Sequence, residues 1–258
     1  MSDEVIVSAI NSIMLITLNR PEKRNALSAS VVAELHAALR EAEQDDAVRV
    51  VVVQGEGEAF CAGADLEYLL QISANSPQQN ADDSRAMGAM FAALRGLPKP
   101  TIAKVHGPAL AGGCGLAIAC DIVVADDAAK FGFTEVRIGF VPAIVARLLV
   151  ERVGMGNARE LLLRGHIIDP DTAQQIGLIN YVVGDDELDR MAEQLAFEIA
   201  EKTSPQAVRL TKQLLLDTAG MDTIEAMEYA ATCNALARTS ADFRKGLTAF
   251  LNKEKPSW

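Results

Sequence analysis

Positive charge is scarce in this chain of 258 residues. Lys and Arg number 24 against 35 Asp and Glu, giving a formal net charge of −11 and a sequence pI near 4.8. No basic cluster exceeds a pair such as Lys23-Arg24. This argues against nucleic acid as the main partner, because phosphate backbones require a basic stripe. An anionic small molecule remains compatible, since it needs only a few local cations and backbone N–H groups. Long apolar runs are also missing. Stretches such as residues 50–53 are far too short to cross a bilayer. The opening Met1-Ser2-Asp3-Glu4 is acidic, where a secretory signal is basic and then apolar, so a cytoplasmic protein with no membrane partner is expected. The four cysteines (61, 114, 120, 233) form no Cys-x-x-Cys pair, and His36, His106 and His166 are scattered. Neither a metal site nor a disulfide framework is expected. Cys61, Cys114 and Cys120 sit among small apolar residues, where a buried free thiol is the expected role.

Several catalytic signatures are absent as well. Gly55-Glu-Gly57 after a valine run imitates a dinucleotide fingerprint, but Phe60 takes the third glycine position and no helix follows at once. No phosphate loop of the Gly-x-x-x-x-Gly-Lys-Ser/Thr type occurs, no Gly-x-Ser-x-Gly elbow and no His-Glu-x-x-His. His106 ends a strand before a glycine-rich loop, but with no paired nucleophile it reads as structural.

The residues that are present, half of them hydrophobic, suffice for a sizeable core. Val5–Ile10 and Ile13–Leu18 flank Asn11-Ser12 and predict a hairpin. Ser28 begins a helix with an apolar stripe of Val31, Leu35, Leu39 and Ala42. Residues 48–53 read as a strand covered on both faces. Residues 71–85 are polar and read as a mobile, lid-like loop, followed by a helix to about Arg95. Strands are expected at 101–106, 122–125 and near 130–133. Asp169-Pro170 starts a short helix closed by Gly177. Three longer helices cover 185–202, 205–219 and 222–238, the last opening with the capping box Asp222-Thr-Ile-Glu225. The fold class expected is α/β, with residues 1–185 as a βα core carrying the site and residues 186–258 as a C-terminal helical region.

Two glycine-containing turns follow strands: Phe60-Cys-Ala-Gly63-Ala64-Asp65-Leu66, and the loop from His106 to Gly112-Gly113-Cys-Gly115-Leu116. Small side chains let a ligand approach the backbone, and a helix N-terminus turns N–H groups and a positive dipole end toward it. Two such N–H groups aimed at one point make an oxyanion hole, although either turn alone also suits plain packing. Glu135 is flanked by Phe131-Gly-Phe133-Thr and Val-Arg-Ile-Gly-Phe140, an apolar context for a carboxylate and one that raises its pKa.

The order Asn19-Arg-Pro-x-x-x-Asn25-Ala-Leu27, Phe60-Cys-Ala-Gly-Ala-Asp-Leu66, Gly112-Gly-Cys-x-Leu-Ala-x-Ala-Cys-Asp121, Phe131-Gly-x-x-Glu135 and Gly139-x-x-Pro142 resembles the crotonase (enoyl-CoA hydratase/isomerase) superfamily. The ending Ala249-Phe250-Leu-Asn-Lys253-x-Lys-Pro256 is similar to that family's tail. The resemblance implies a ββα-spiral core, a helical trimerisation region, and a homotrimer or a hexamer built as a dimer of trimers. It implies an acyl-CoA substrate and no separate cofactor, coenzyme A being part of the substrate. The thioester carbonyl is expected between the N–H groups of Ala64 and Gly112, with Glu135 as the catalytic carboxylate. Ala62, Asp65 and Leu66 are expected to line the coenzyme A pocket, with Ala26, Gly113, Gly115, Pro142 and Phe250 as further contacts. Lys23 or Arg24 is expected at coenzyme A phosphates, and Lys253 from a neighbouring subunit.

The chain departs from the family's hydratases at one place. Their Gly-Gly-x-Glu-Leu is Gly113-Cys-Gly115-Leu here, so the first of two glutamates is missing, and Gly115 is expected to leave room for a bulkier acyl group. Pro142-Ala-Ile-Val replaces a glycine-rich segment and, with Thr134-Glu-Val-Arg-Ile-Gly, is similar to methylglutaconyl-CoA hydratase-like members. One carboxylate can serve both transfers of a syn hydration, or shuttle a proton between the α- and γ-carbons. Hydratase is the expected activity and Δ3-Δ2-enoyl-CoA isomerase the alternative. A hydrolase, a decarboxylase or a non-catalytic acyl-CoA or RNA binder ranks below them.

Overall fold

The computed structural model describes residues 4–258; Met1-Ser2-Asp3 of the acidic opening lies outside the described residues. β1 (Val5–Ile10) and β2 (Ile13–Leu18) form the expected hairpin, with Val5 opposite Leu18 and Ile10 opposite Ile13. Asn11 makes the turn at φ 56°, a left-handed conformation in which asparagine is enriched. β3 (Val50–Gly55), β4 (Thr101–Val105), β6 (Ile122–Asp126) and β9 (Tyr181–Val183) add in parallel, completing a six-stranded sheet of order β1-β2-β3-β4-β6-β9. A second sheet of order β5-β7-β8 joins β5 (Pro108–Leu110), β7 (Lys130–Gly132) and β8 (Ile167–Ile168). This is the α/β crotonase fold, with two sheets and C-terminal helices.

The unbroken valine run of β3 is explained by its two covered faces. Val51 and Val53 enter the main core with α1 (Ala29–Gln44), whose buried stripe includes Val31, Leu35, Leu39 and Ala42. Val50 and Val52 face the other way, under Leu188, Ala196 and Ala200 of α7 (Leu188–Lys202). A strand buried on both faces has no polar position to alternate.

One expectation fails. Residues 71–85 are not a loop: α2 (Leu66–Ile72) runs into them and α3 (Pro77–Gly96) begins five residues later. Ser76 caps α3 reciprocally, its Oγ accepting from the Gln79 N–H (3.3 Å) while Gln79 Oε1 accepts from the Ser76 N–H (2.9 Å). Pro77 stands at the first helical position, where its missing N–H costs nothing. The segment's polarity is that of an exposed helix face rather than of a loop.

α4 (Gly112–Ala119) is buried along nearly its whole length, and α5 (Ala143–Arg164) packs against it. α6 (Pro170–Gln175) is capped by Asp169, which accepts from the Thr172 N–H at 2.8 Å. α8 (Pro205–Asp217), α9 (Thr223–Ala237) and α10 (Ala241–Leu251) follow, α9 with both halves of its expected capping box. Among the described residues no helix is long and apolar enough to cross a membrane.

One ion pair, its lysine buried and its aspartate partly exposed, ties α8 to the core. Lys212 Nζ donates to Asp121 Oδ2 (2.7 Å) and to Lys99 O (3.1 Å), while the same Asp121 oxygen accepts from Thr101 N–H (2.7 Å) and Oγ (2.9 Å). Removing one partner of such a pair strands the other charge away from water. Asp121→Ala is expected to lower stability by about 3 kcal/mol, read as a drop in Tm. An unchanged Tm would show that the pair contributes nothing net.

Candidate active site

The site begins with a backbone crossing. Residues 60–65 leave β3 as an extended stretch held on both edges. Leu27 N–H donates to Gly63 O (2.7 Å) and Asp65 N–H to Leu27 O (3.0 Å). On the other edge Leu110 N–H donates to Cys61 O (3.0 Å) and Cys61 N–H to Pro108 O (3.2 Å). The approach leaves no space for side chains. A Cβ on Gly113 would lie 2.1 Å from Cys61 O, and one on Gly63 would lie 2.8 Å from both the Ala111 Cβ and Leu110 O. Gly63 also takes φ +94°, a conformation natural to glycine alone.

Ala111 enters α4 at φ 50°, ψ −126°, the glycine-favouring conformation of a type II′ turn. Its N–H donates to Gly132 O at 2.7 Å, which holds it there. The consequence is a pair of available donors from distant parts of the chain. Among the described residues, neither the Ala64 N–H nor the Gly112 N–H has an acceptor. The Ala64 nitrogen lies 4.0 Å from where a Cβ on Gly112 would stand, and both residues line one pocket. Gly112 is also the first residue of α4, so the positive end of that helix faces the same space.

This pocket encloses about 440 Å³ between α2, α3, α4 and the start of α5. Glu135 lines it from a short 3-10 turn at 135–138, which closes as the Phe140 N–H donates to the Glu135 carbonyl (3.0 Å). The Glu135 side chain is buried, and its Oε2 has no hydrogen-bond partner among the described residues. Burial pushes its carboxyl above the ordinary glutamate range. Phe131 and Phe133, close to it in sequence, are fully buried, whereas Phe140 is half exposed on the pocket lining. Asp65, in the same pocket, goes the other way. Burial opposes its ionisation, but N–H groups of Tyr68 and Glu67 and the Arg20 guanidinium (3.2 Å) hold its carboxyl below the usual range. One carboxylate is held by three donors and the other has an oxygen without a partner among the described residues.

Residues 8–258 match the family described as enoyl-CoA hydratase/isomerase. The chain belongs to that family. A provisionally named enoyl-CoA hydratase of Thermus thermophilus is 42% identical over 244 residues, covering 95% of this chain and 96% of its own. A crotonyl-CoA hydratase of Syntrophomonas wolfei is 34% identical, covering 99% and 98%. The crystal structure of an enoyl-CoA hydratase from Mycobacterium smegmatis superposes with a TM-score of 0.93 at 32% identity, covering 99% and 98%.

Of the residues expected from the family resemblance, Lys23, Ala26, Ala62, Ala64, Asp65, Leu66, Gly112, Glu135 and Pro142 line the pocket together. Five do not line it. Arg24 is an exposed residue closing the turn at 21–23. Gly113 is buried against Cys61, and Phe250 and Lys253 lie on and just after α10. Gly115 leaves no room for an acyl group, because a Cβ there would lie 2.2 Å from Val145 Cγ1: the valine already fills the space. His106 is outside the pocket, its Nε2 2.9 Å from Gly57 O. The buried thiols are inert, with burial pushing Cys61 and Cys120 up to about 12.

Two groups of residues escaped the sequence reading. Met87 and Phe91 line the pocket from the part of α3 that was expected to be helical, but no local motif marked them as site residues. Arg20 and Asn25 lie within a recognised motif and act as braces. Arg20 reaches Ala26 O (2.9 Å) and Asp65, and Asn25 donates to Glu56 O (2.8 Å) and Ala59 O (2.7 Å). Gly63→Ala is expected to lower Tm markedly, since it meets both an occupied volume and a disfavoured φ. Ala111→Gly relieves strain of about 1–3 kcal/mol and is expected to leave Tm equal or higher. A melting experiment giving the reverse order would contradict the crossing geometry.

Proposed function

We propose that this protein hydrates a 2-enoyl-CoA thioester, with Glu135 as its one proton-transferring residue and the Ala64 and Gly112 N–H groups as the oxyanion hole. The observation that carries the reading is an unpartnered, buried carboxylate oxygen in one pocket with two unused backbone donors. With the thioester oxygen between the two N–H groups, negative charge developing there is stabilised by donors that need no reorganisation. Glu135 accepts a proton from water as its oxygen bonds to the β-carbon. The protonated Glu135 then returns a proton to the α-carbon, so water adds to one face of the double bond and the carboxylate is restored.

The Syntrophomonas relative's name supports a short 2-enoyl chain. The methylglutaconyl-like resemblance favours a branched acyl group ending in a second carboxylate. Lys23 is the only lysine or arginine among the described lining residues, and it sits at the exposed edge paired with Glu67 (2.8 Å). That placement suits a coenzyme A phosphate competing with Glu67, and it leaves a distal carboxylate without a cation. A neutral acyl group is therefore the preferred reading. The second reading is Δ3-Δ2-enoyl-CoA isomerisation, favoured by Val145 filling the space over Gly115 and leaving a single carboxylate. Assembly as a trimer or hexamer falls to the C-terminal helices, where Ile224, Met227, Leu236 and Phe250 are strongly exposed.

Adding the protein to crotonyl-CoA is expected to remove the conjugated thioester absorbance. Glu135→Gln should cost at least about 10²-fold in rate. The acidic limb of kcat/KM should lie above that of an ordinary glutamate, in the direction burial imposes. Absorbance gained from a 3-enoyl-CoA, with none lost from crotonyl-CoA, would replace the hydratase by the isomerase.

A further inference from the structure

A second, more open hollow of about 630 Å³ is lined by α3 and α5. Its walls include Gly88, Ala92 and Gly96, four residues apart on α3, with Leu148 of α5 and Leu216 of α8, and also the charged group in which Glu151 pairs with Arg95 and Arg147. Phe91 and Ile144 line both this groove and the pocket that holds Glu135. The two spaces are thus separated by a partition one side chain thick. Phe91 is buried, and its ring lies close to α4 and Val145: a Cβ built on Gly115 would stand 3.5 Å from Phe91 Cε1 and 3.0 Å from Val145 Cβ. On the groove side the backbone is open, with nothing within 4 Å of a Cβ built on Gly88 or Gly96.

We infer that Phe91, backed by Ile144, is the end wall of the acyl pocket and sets its chain-length limit. The inference rests on the acyl-CoA reading above and adds the residue that sets substrate length. An acyl chain gains affinity with each methylene it buries, about fourfold per CH2, until its end meets the Phe91 ring. Beyond that length further methylenes find no cover inside the pocket. Shortening Phe91 joins the pocket to a hollow whose alanine and glycine wall accepts an extended chain.

The test is a titration of saturated acyl-CoA thioesters, from butyryl to hexadecanoyl, against the parent protein, Phe91→Ala and Phe91→Leu, with crotonyl-CoA turnover measured beside it. Phe91→Leu guards against loss of folding in the alanine variant. Affinity is expected to rise with chain length and then level off in the parent. The plateau should move to longer chains in both variants, furthest in Phe91→Ala. Gly88→Leu, placed in the groove outside the site, should leave the parent's profile unchanged and cancel the gain when combined with Phe91→Ala. A plateau that stays in place in the Phe91 variants, or a parent with no plateau, would overturn the end wall while leaving crotonyl-CoA turnover, and so the functional reading, intact. Failure to bind any acyl-CoA would overturn both.

Discussion

Everything at this site depends on how closely residues 60–65 approach β5 and the start of α4. The approach is made by backbone hydrogen bonds, Leu27 to Gly63 on one edge and Leu110 to Cys61 on the other. It is possible only because Gly63 and Gly113 present hydrogens where any side chain would collide with Ala111 or with the Cys61 carbonyl. Beside this contact Ala111, held by Gly132 O, takes a strained conformation, and among the described residues the Ala64 and Gly112 N–H groups have no internal acceptor. Strain and unspent donors are costs that a packing turn has no reason to carry, and they fall beside the pocket.

Glu135 is a third cost of the same kind. Its raised pKa means that the folded chain holds that proton more tightly than the unfolded chain does. Its ionisation therefore works against folding as pH rises from the ordinary glutamate value through the raised one. Asp65 shows that the fold can satisfy a carboxylate in this pocket when structure requires it, with two N–H groups and a guanidinium. Among the described residues Glu135 has no such provision at Oε2. The contrast between the two carboxylates supports the proton-transfer role proposed for Glu135.

Much of this was legible in the chain itself. The opening hairpin, the two-faced β3, the Asp169 and Asp222 caps and the apolar setting of Glu135 each follow from local pattern. The helix at 77–85 was missed because its exposed face is polar, although Ser76-Pro77-x-Gln79 held a complete cap. Met87 and Phe91 lay in the stretch correctly read as helix, but nothing in the local pattern singled them out as pocket residues. The occupancy of the Gly115 space was invisible for a different reason. Val145 lies thirty residues away, and only the packing of α5 on α4 brings it there. Short strands such as β5 and β9 carry too few residues to show a period, and their partners are set by topology.

The most direct test is a crystal structure of the protein with an unreactive 2-enoyl-CoA analogue. The thioester oxygen should lie within roughly 2.7–3.1 Å of both the Ala64 and Gly112 nitrogens, with Glu135 facing the α- and β-carbons. A thioester oxygen bound away from either nitrogen, or an acyl chain lying outside the Glu135 pocket, would contradict the account at its root.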